Sequence, residues 1–123
     1  MAASPATAAA FAQEGAGVRV TWHTDEAGAQ ETKRQVETAG RRTIAVRCDV
    51  ADAASVQAAF DRTVAGLGAP DLSVANAGTG MGGMPVAEMD EGKTMEVLRT
   101  DLVGPLLFAR AFVRLRKAAG GCS

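Results

Sequence analysis

The sequence has no tyrosine, a single histidine and two cysteines among its 123 residues. Without tyrosine, no phenol of this chain can donate or accept a proton in catalysis. Cys48 lies in a predicted buried strand and Cys122 near the end of the chain, and this spacing fits neither a metal site nor a disulfide framework. We therefore expect a reducing, cytoplasmic compartment and no bound metal.

An excess of one charge sign is also lacking, because thirteen basic residues balance fourteen acidic ones and the net charge is -1. This balance provides no electrostatic attraction to nucleic acid or to an anionic membrane. No apolar run approaches the length needed to cross a bilayer, and the alanine-rich start lacks the basic segment of a signal peptide. We therefore expect a soluble protein whose partners are neither nucleic acids nor membranes.

Capping residues, glycine stops and apolar periodicity divide the chain into alternating helices and strands. Such alternation predicts a parallel sheet with helices on both faces. The predicted elements are a helix from Ser4-Pro5 to just before Gly15, a strand over 18–22, a helix capped by Thr24 or Asp25 that reaches Ala39, a strand over 43–50, a helix capped by Asp52 that ends near Gly68, a strand over 71–75, and a long helix over about 90–118 kinked at Gly104-Pro105.

Four stretches resemble, in order, the short-chain dehydrogenase/reductase family, whose members bind a nicotinamide cofactor on a Rossmann fold: AAAFAQEGAGVRV, CDVAD, VANAG and VLRTDLVGPLLFARAF. The resemblance implies that Asp49 and the backbone of Val50 contact the adenine ring. It also implies that Asn76, Ala77 and Gly78 line the cofactor cleft. NADP or NAD is therefore the implied cofactor, and a small alcohol or carbonyl compound is the implied substrate.

The resemblance begins at the family's first helix. In the family, a strand and a glycine-rich turn come before this helix, and the turn holds the pyrophosphate. Here residues 2–5 stand where the last glycines would lie, and Pro5 has no N–H. The family's strand order of 3-2-1-4 would place that first strand between 18–22 and 71–75, so we expect these two strands to pair directly or to leave a strand-wide gap. The fold implied for 1–123 is one truncated, Rossmann-like α/β domain, a partial doubly wound sheet of three strands without the first.

The catalytic serine, tyrosine and lysine of the family follow the region that the resemblance covers. The family's fourth catalytic residue, an asparagine, corresponds to Asp101 here. A carboxylate lacks the donor capacity of an amide, so the proton-relay role of Asp101 stays open. Asp101 either takes a catalytic part or is a carboxylate at the edge of a half-open cleft.

Other candidate residues also allow two interpretations. His23 lies either in an exposed loop or beside the adenosine ribose, where the absence of an acidic residue over 22–24 favours NADP over NAD. Asp49 and Asn76 either bind the cofactor or only shape turns. The stretch GTGMGG (78–83) matches a dinucleotide fingerprint, but further loop residues separate it from the next helix, which favours a plain loop.

Two functions are therefore open. The chain is either part of an NAD(P)-dependent oxidoreductase, unable to bind cofactor tightly or to catalyse alone, or a non-catalytic remnant or protein-interaction module. Apolar residues over 106–113 cover more than one face of the last helix. The resemblance implies a homo-oligomer formed through the helix over 90–118, and this spread suits such a partner surface; burial against the chain's own sheet would account for only part of it.

Overall fold

A computed structural model describes residues 4–120, so residues 2–3 and Cys122 lie outside it. Its helices and strands alternate as predicted. The elements are α1 (Pro5–Gln13), β1 (Val18–Trp22), α2 (Glu26–Thr38), β2 (Thr43–Arg47), α3 (Ala53–Leu67), a 3-10 turn (Val86–Glu88), α4 (Glu91–Leu98), a π-helical turn (Arg99–Val103) and α5 (Gly104–Ala118).

Local capping explains where the helices begin. Asp25 caps α2 by accepting a hydrogen bond from the Gly28 N–H at 2.9 Å, and Asp52 caps α3 through the Ser55 N–H at 2.8 Å. These bonds satisfy backbone donors that the first turn of a helix leaves free. Ser4 also stands at an N-cap position, that of α1, but its side chain makes no capping bond among the described residues.

The sheet within residues 4–120 consists of two parallel strands. Val18 of β1 pairs with Thr43 of β2, and the register continues to Trp22 opposite Arg47. Parallel strands need a helical crossover, which α2 supplies. The predicted α/β class with a parallel sheet and helices on both faces is confirmed.

The predicted third strand over 71–75 is wrong in one respect: this segment forms no ladder with β1 or β2. A strand needs a neighbour at about 4.8 Å to satisfy its backbone groups, and a groove of about 750 Å³ separates 69–74 from β1. Of the two arrangements expected from the sequence, the strand-wide gap is therefore the one observed. Its walls leave Leu72 59% and Val74 51% exposed.

Two apolar clusters cover the two faces of the sheet. On one face, Ala8 and Ala12 of α1 pack with Val36 of α2 and with Val18. The larger cluster lies on the other face and joins β2 to α3 and α5; it contains Val46, Cys48, Val56, Ala59, Phe60, Phe108 and Ala111. The helices therefore sandwich the strands, as the apolar character of 43–50 predicted.

The long helix predicted over about 90–118 is interrupted by a π-helical turn rather than by a simple kink at Gly104-Pro105. Pro105 has no N–H, so the carbonyl four residues earlier, on Asp101, loses its α-helical partner. A local π turn accommodates such a loss, and π turns are frequent at functional positions. In the part of the chain described by the structure, no helix is long and apolar enough to cross a membrane.

Candidate cofactor cleft

Polar side chains follow both strands at the carboxyl edge of the sheet. His23 comes directly after β1, and Asp49 comes two residues after β2. Because the strands are parallel, their carboxyl ends lie side by side, and His23 Nε2 stands 3.9 Å from Asp49 Oδ2. Both side chains are about half exposed, so the pair contributes little to stability and both groups stay accessible to a ligand.

The backbone around Asp49 is held firmly. Its N–H donates to Ser55 Oγ at 2.9 Å, and its Oδ1 accepts from the Ala51 N–H at 2.9 Å. Its carbonyl oxygen accepts from the Asp52 N–H at 3.2 Å. Asp49 therefore shapes the turn after β2 with one carboxylate oxygen and turns the other toward His23.

A small cavity of about 30 Å³ lies between this turn, the segment after 71–75 and the start of α5. Its walls bring together three of the predicted cleft residues, Val50 from the turn after β2 and the adjacent Asn76 and Ala77 from a later part of the chain. The other predicted residues, His23, Asp49 and Gly78, stand outside its lining. The structure thus brings three of the six predicted residues together around the cavity and leaves the other three at the border of the cavity.

Helix α5 approaches the turn after β2 closely at a glycine. A Cβ on Gly104 would lie 3.1 Å from Val50 Cγ2 and 3.4 Å from the Val50 carbonyl oxygen. A separation of this size is tighter than ordinary van der Waals contact, so any side chain there would push the helix away from Val50. Gly104 thereby sets the width of the cavity.

Asp101 contacts the backbone of the glycine-rich loop. Its Oδ1 accepts a hydrogen bond from the Thr79 N–H at 2.7 Å, and it also lies close to Gly78, where an added Cβ would be 3.6 Å away. The carboxylate is exposed, so it is solvated rather than buried without a partner. In this arrangement, Asp101 holds the loop beside the cavity.

The stretch 78–83 is a loop, as the sequence favoured. Gly82 and Gly83 adopt φ of 68° and 74°, values that suit glycine. The next α-helix begins only at Glu91, where Asp90 caps the Lys93 N–H at 2.7 Å. The glycines therefore do not open a helix, and the dinucleotide-fingerprint interpretation of GTGMGG is not supported.

One chemically notable residue escaped the sequence analysis. Arg19, the second residue of β1, places its guanidinium 4.5 Å from the centre of the Phe60 ring and 5.5 Å from that of Phe108. Its Nη1 donates to Thr63 Oγ1 at 3.0 Å, and burial lowers the pKa of its guanidinium. The available signal was the position of a cation between Val18 and Val20 in an apolar strand, where alternation puts it on a covered face.

Other ionisable groups add little chemistry. Burial raises the pKa of the Cys48 thiol, which keeps it protonated and unreactive at neutral pH. Within residues 4–120, no group of three or more His, Cys, Asp or Glu side chains is placed to hold a metal ion.

Comparison with known proteins gives consistent matches along the chain. A family model described as enoyl-(acyl carrier protein) reductase matches residues 4–122. The cis-4-hydroxycyclohexanecarboxylate dehydrogenase of Sinomonas cyclohexanicum is 37% identical over 115 residues, which are 94% of this chain and 45% of that protein.

Two solved structures share the fold. A short-chain type dehydrogenase/reductase from Mycobacterium marinum matches with a TM-score of 0.88 at 27% identity, covering 94% of this chain and 46% of that one. A metagenomic short-chain oxidoreductase in complex with NADP matches with a TM-score of 0.84 at 28% identity, covering 94% and 52%. The chain therefore spans about half the length of the relatives that it matches.

Proposed function

Because the chain belongs to the short-chain dehydrogenase/reductase family, we propose that it is the adenosine-binding portion of an NAD(P)-dependent oxidoreductase acting on a small alcohol or carbonyl compound. The observation that carries this proposal is the convergence of Val50, Asn76 and Ala77 on one cavity at the carboxyl edge of the parallel sheet. Open α/β sheets bind nucleotides at this edge.

Two of the residues at the border of the cavity, Asp49 and His23, take a part at the adenosine end. Asp49 directs its free Oδ2 outward, where it accepts a hydrogen bond from the amino group of adenine. His23 lies 3.9 Å away, on the side of the ribose. No acidic residue over 22–24 repels a 2′-phosphate, so we favour NADP over NAD.

The same chain does not fit the diphosphate of such a cofactor. Pro5 occupies the first helical position of α1 and has no N–H to donate. No tyrosine is present to transfer a proton, and the Asp101 carboxylate is engaged by the Thr79 N–H. The proposed chain therefore binds the adenosine moiety weakly and performs no turnover alone.

The experiment compares NADPH, NADH and adenosine 2′-monophosphate as ligands of the purified chain, by nicotinamide fluorescence and by calorimetry. We expect weak binding of adenosine 2′-monophosphate that Asp49→Asn weakens further, because the Asn oxygen keeps the bond from the Ala51 N–H while its NH2 group cannot accept a hydrogen bond from the adenine amino group. Asp61→Asn is the matched control, since Asp61 is exposed on α3 and bonded to Gln57.

Three results would contradict this proposal. Tight NADPH binding by the wild-type chain would show that a diphosphate site exists after all. Reduction of any carbonyl compound by a preparation freed of host enzymes would show that the missing phenol is dispensable. Equal binding of the adenosine ligand by wild type and Asp49→Asn would remove Asp49 from the site.

We further propose that 1–123 behaves as one cytoplasmic domain that associates with a second copy through α4 and α5. On α5, Leu106 is 63% exposed and Val113 is 42% exposed, while Phe108 faces the interior. Apolar side chains on the outer face of a helix favour burial against a partner. Analytical ultracentrifugation of wild type and Leu106→Asp tests this association. A wild-type chain that sediments as a monomer would contradict it.

A role as a protein-interaction module is the second candidate function. Leu102 and Leu106 favour it, because these apolar side chains are 57% and 63% exposed.

A further inference from the structure

Arg47 stands at the carboxyl edge of the sheet, beside the proposed adenosine site. It is the last residue of β2 and pairs in register with Trp22, the last residue of β1. Alternation along a strand puts Arg47 on the side opposite to Val46, which belongs to the buried cluster with α3 and α5. Arg47 and Trp22 therefore share the other face at the end of the two strands, and Arg47 is exposed there.

Two contacts hold the guanidinium of Arg47 in place. Its Cζ lies 5.8 Å from the centre of the Trp22 ring, within the range over which an aromatic face attracts a cation. Its Nε donates a hydrogen bond to the carbonyl oxygen of His23 at 3.4 Å. Both contacts come from the end of β1, so the guanidinium lies against that strand end, next to the ribose side of the proposed site.

The remaining donors of this guanidinium are available to an anion. A guanidinium carries five N–H groups, and the bond to His23 uses the one on Nε. Arg47 takes part in none of the ion pairs found in the described part of the chain. The nearby carboxylates have other contacts, because Asp25 caps the start of α2 and Asp49 lies beside the His23 imidazole. The four N–H groups on Nη1 and Nη2 are therefore free to bind a ligand, as far as the described residues go.

On the basis of the proposed function, which puts adenine at Asp49 and the ribose beside His23, we propose that Arg47 selects NADP over NAD by binding the 2′-phosphate through Nη1 and Nη2. The planar fork of a guanidinium matches two oxygens of a phosphate. Trp22 and the His23 carbonyl hold this fork before the ligand arrives, which lowers the cost of ordering it. Residues 22–24 contain no arginine, so the register of β2 supplies the one that the end of β1 lacks.

Two isomeric nucleotides test the role of Arg47: adenosine 2′-monophosphate and adenosine 5′-monophosphate. They share the same base, sugar and ionisable groups and differ only in the position of the phosphate. Each nucleotide is titrated into the full 123-residue chain, and its binding is followed by calorimetry. The wild-type chain is expected to bind the 2′ isomer about tenfold more tightly than the 5′ isomer, because only the 2′-phosphate reaches the fork of Arg47.

The preference for the 2′ isomer is expected to vanish in Arg47→Leu, with the affinity for the 5′ isomer unchanged. It is expected to persist in Arg62→Leu, the matched control, which removes an exposed arginine from α3 outside the lining of the cavity. Arg47→Lys keeps the charge but loses the planar fork, so it is expected to retain only part of the preference. This variant also tests the role of Arg47 should Arg47→Leu fail to fold.

The outcomes distinguish the role of Arg47 from the function on which it rests. If neither nucleotide binds, the proposed adenosine site is absent, and the role of Arg47 is overturned with it. If both bind but the 2′ isomer has no advantage, or if Arg47→Leu keeps that advantage, the adenosine site stands and only the role of Arg47 is overturned. An equal loss of the preference in Arg62→Leu would also overturn it, because the preference would then follow from net charge alone.

Discussion

The contact between Arg19 and Phe60 is expected to be energetically coupled, and a double-mutant cycle can measure the coupling. Phe60 is fully buried, with its ring at 63° to that of Phe108 and 5.4 Å from it. The guanidinium of Arg19 lies 4.5 Å from the Phe60 ring centre, well inside the range of about 6 Å over which a cation is attracted to an aromatic face. The cycle uses Phe60→Leu, Arg19→Met and the double variant.

The expected coupling free energy follows from the environment of the pair. An exposed cation–π contact contributes about 0.5–1 kcal/mol and a desolvated one about 2 kcal/mol. Arg19 is half-buried beside an open groove, so we expect about 1 kcal/mol. Each single substitution also changes packing, but the cycle cancels those separate costs.

The assay is urea unfolding followed by circular dichroism. Arg47 and Trp22 provide a matched control pair, because their guanidinium-to-ring distance is 5.8 Å and Arg47 is exposed. That pair is expected to show a coupling of about 0.5 kcal/mol or less. A coupling near zero for Arg19 and Phe60, or one no larger than the control's, would refute the account of Arg19 as an aromatic-bound cation.

Three further predictions concern single residues. Asp52→Ala removes the cap of α3 and is expected to lower the free energy of unfolding by about 1 kcal/mol, measured by urea unfolding; an unchanged midpoint would contradict the capping role. Asp101→Leu is expected to speed hydrogen exchange of the Thr79 amide, whereas Asp101→Asn keeps the acceptor and the protection; equal exchange in both would show that the bond does not hold the loop. Burial raises the pKa of the Cys48 thiol in the folded chain, so the folded chain favours the neutral thiol. The stability that this thiol contributes is therefore present at pH values below its pKa in the unfolded chain, and it is lost as the pH rises through its pKa in the folded chain. Alkylation of Cys48, followed by peptide mass spectrometry, is therefore expected to be slow at neutral pH and fast in denaturant, and equal rates would contradict the burial.

Local signals in the sequence predicted most of the helical structure. Asp25 and Asp52 cap their helices within three residues, and Gly40 and Gly68 adopt positive φ at the helix ends. These interactions depend on neighbours in the chain, so the sequence alone contains them. The meeting of His23 with Asp49 was predictable too, because parallel strands bring their carboxyl ends to one edge.

Features that depend on distant neighbours were harder to predict. The segment 71–75 has strand composition, but pairing requires a second strand within hydrogen-bonding distance, and the groove lies there instead. The environment of Arg19 depends on Phe60 and Thr63 from α3, about 40 residues away. Of the candidate site, the sequence predicted three of the residues that line the cavity, Val50, Asn76 and Ala77. It did not predict the hydrogen bond from the Thr79 N–H that engages Asp101.

The π-helical turn over Arg99–Val103 has a consequence for any helix that lies along this part of the molecule. A single π turn acts like one extra residue in the helix, and each residue advances the side chains by about 100° around the axis. The outward stripes of α4 and α5 are therefore out of phase by that angle. A straight helix that packs along the outward stripe of α4 cannot continue along the stripe of α5. It must bend or end at the π-helical turn.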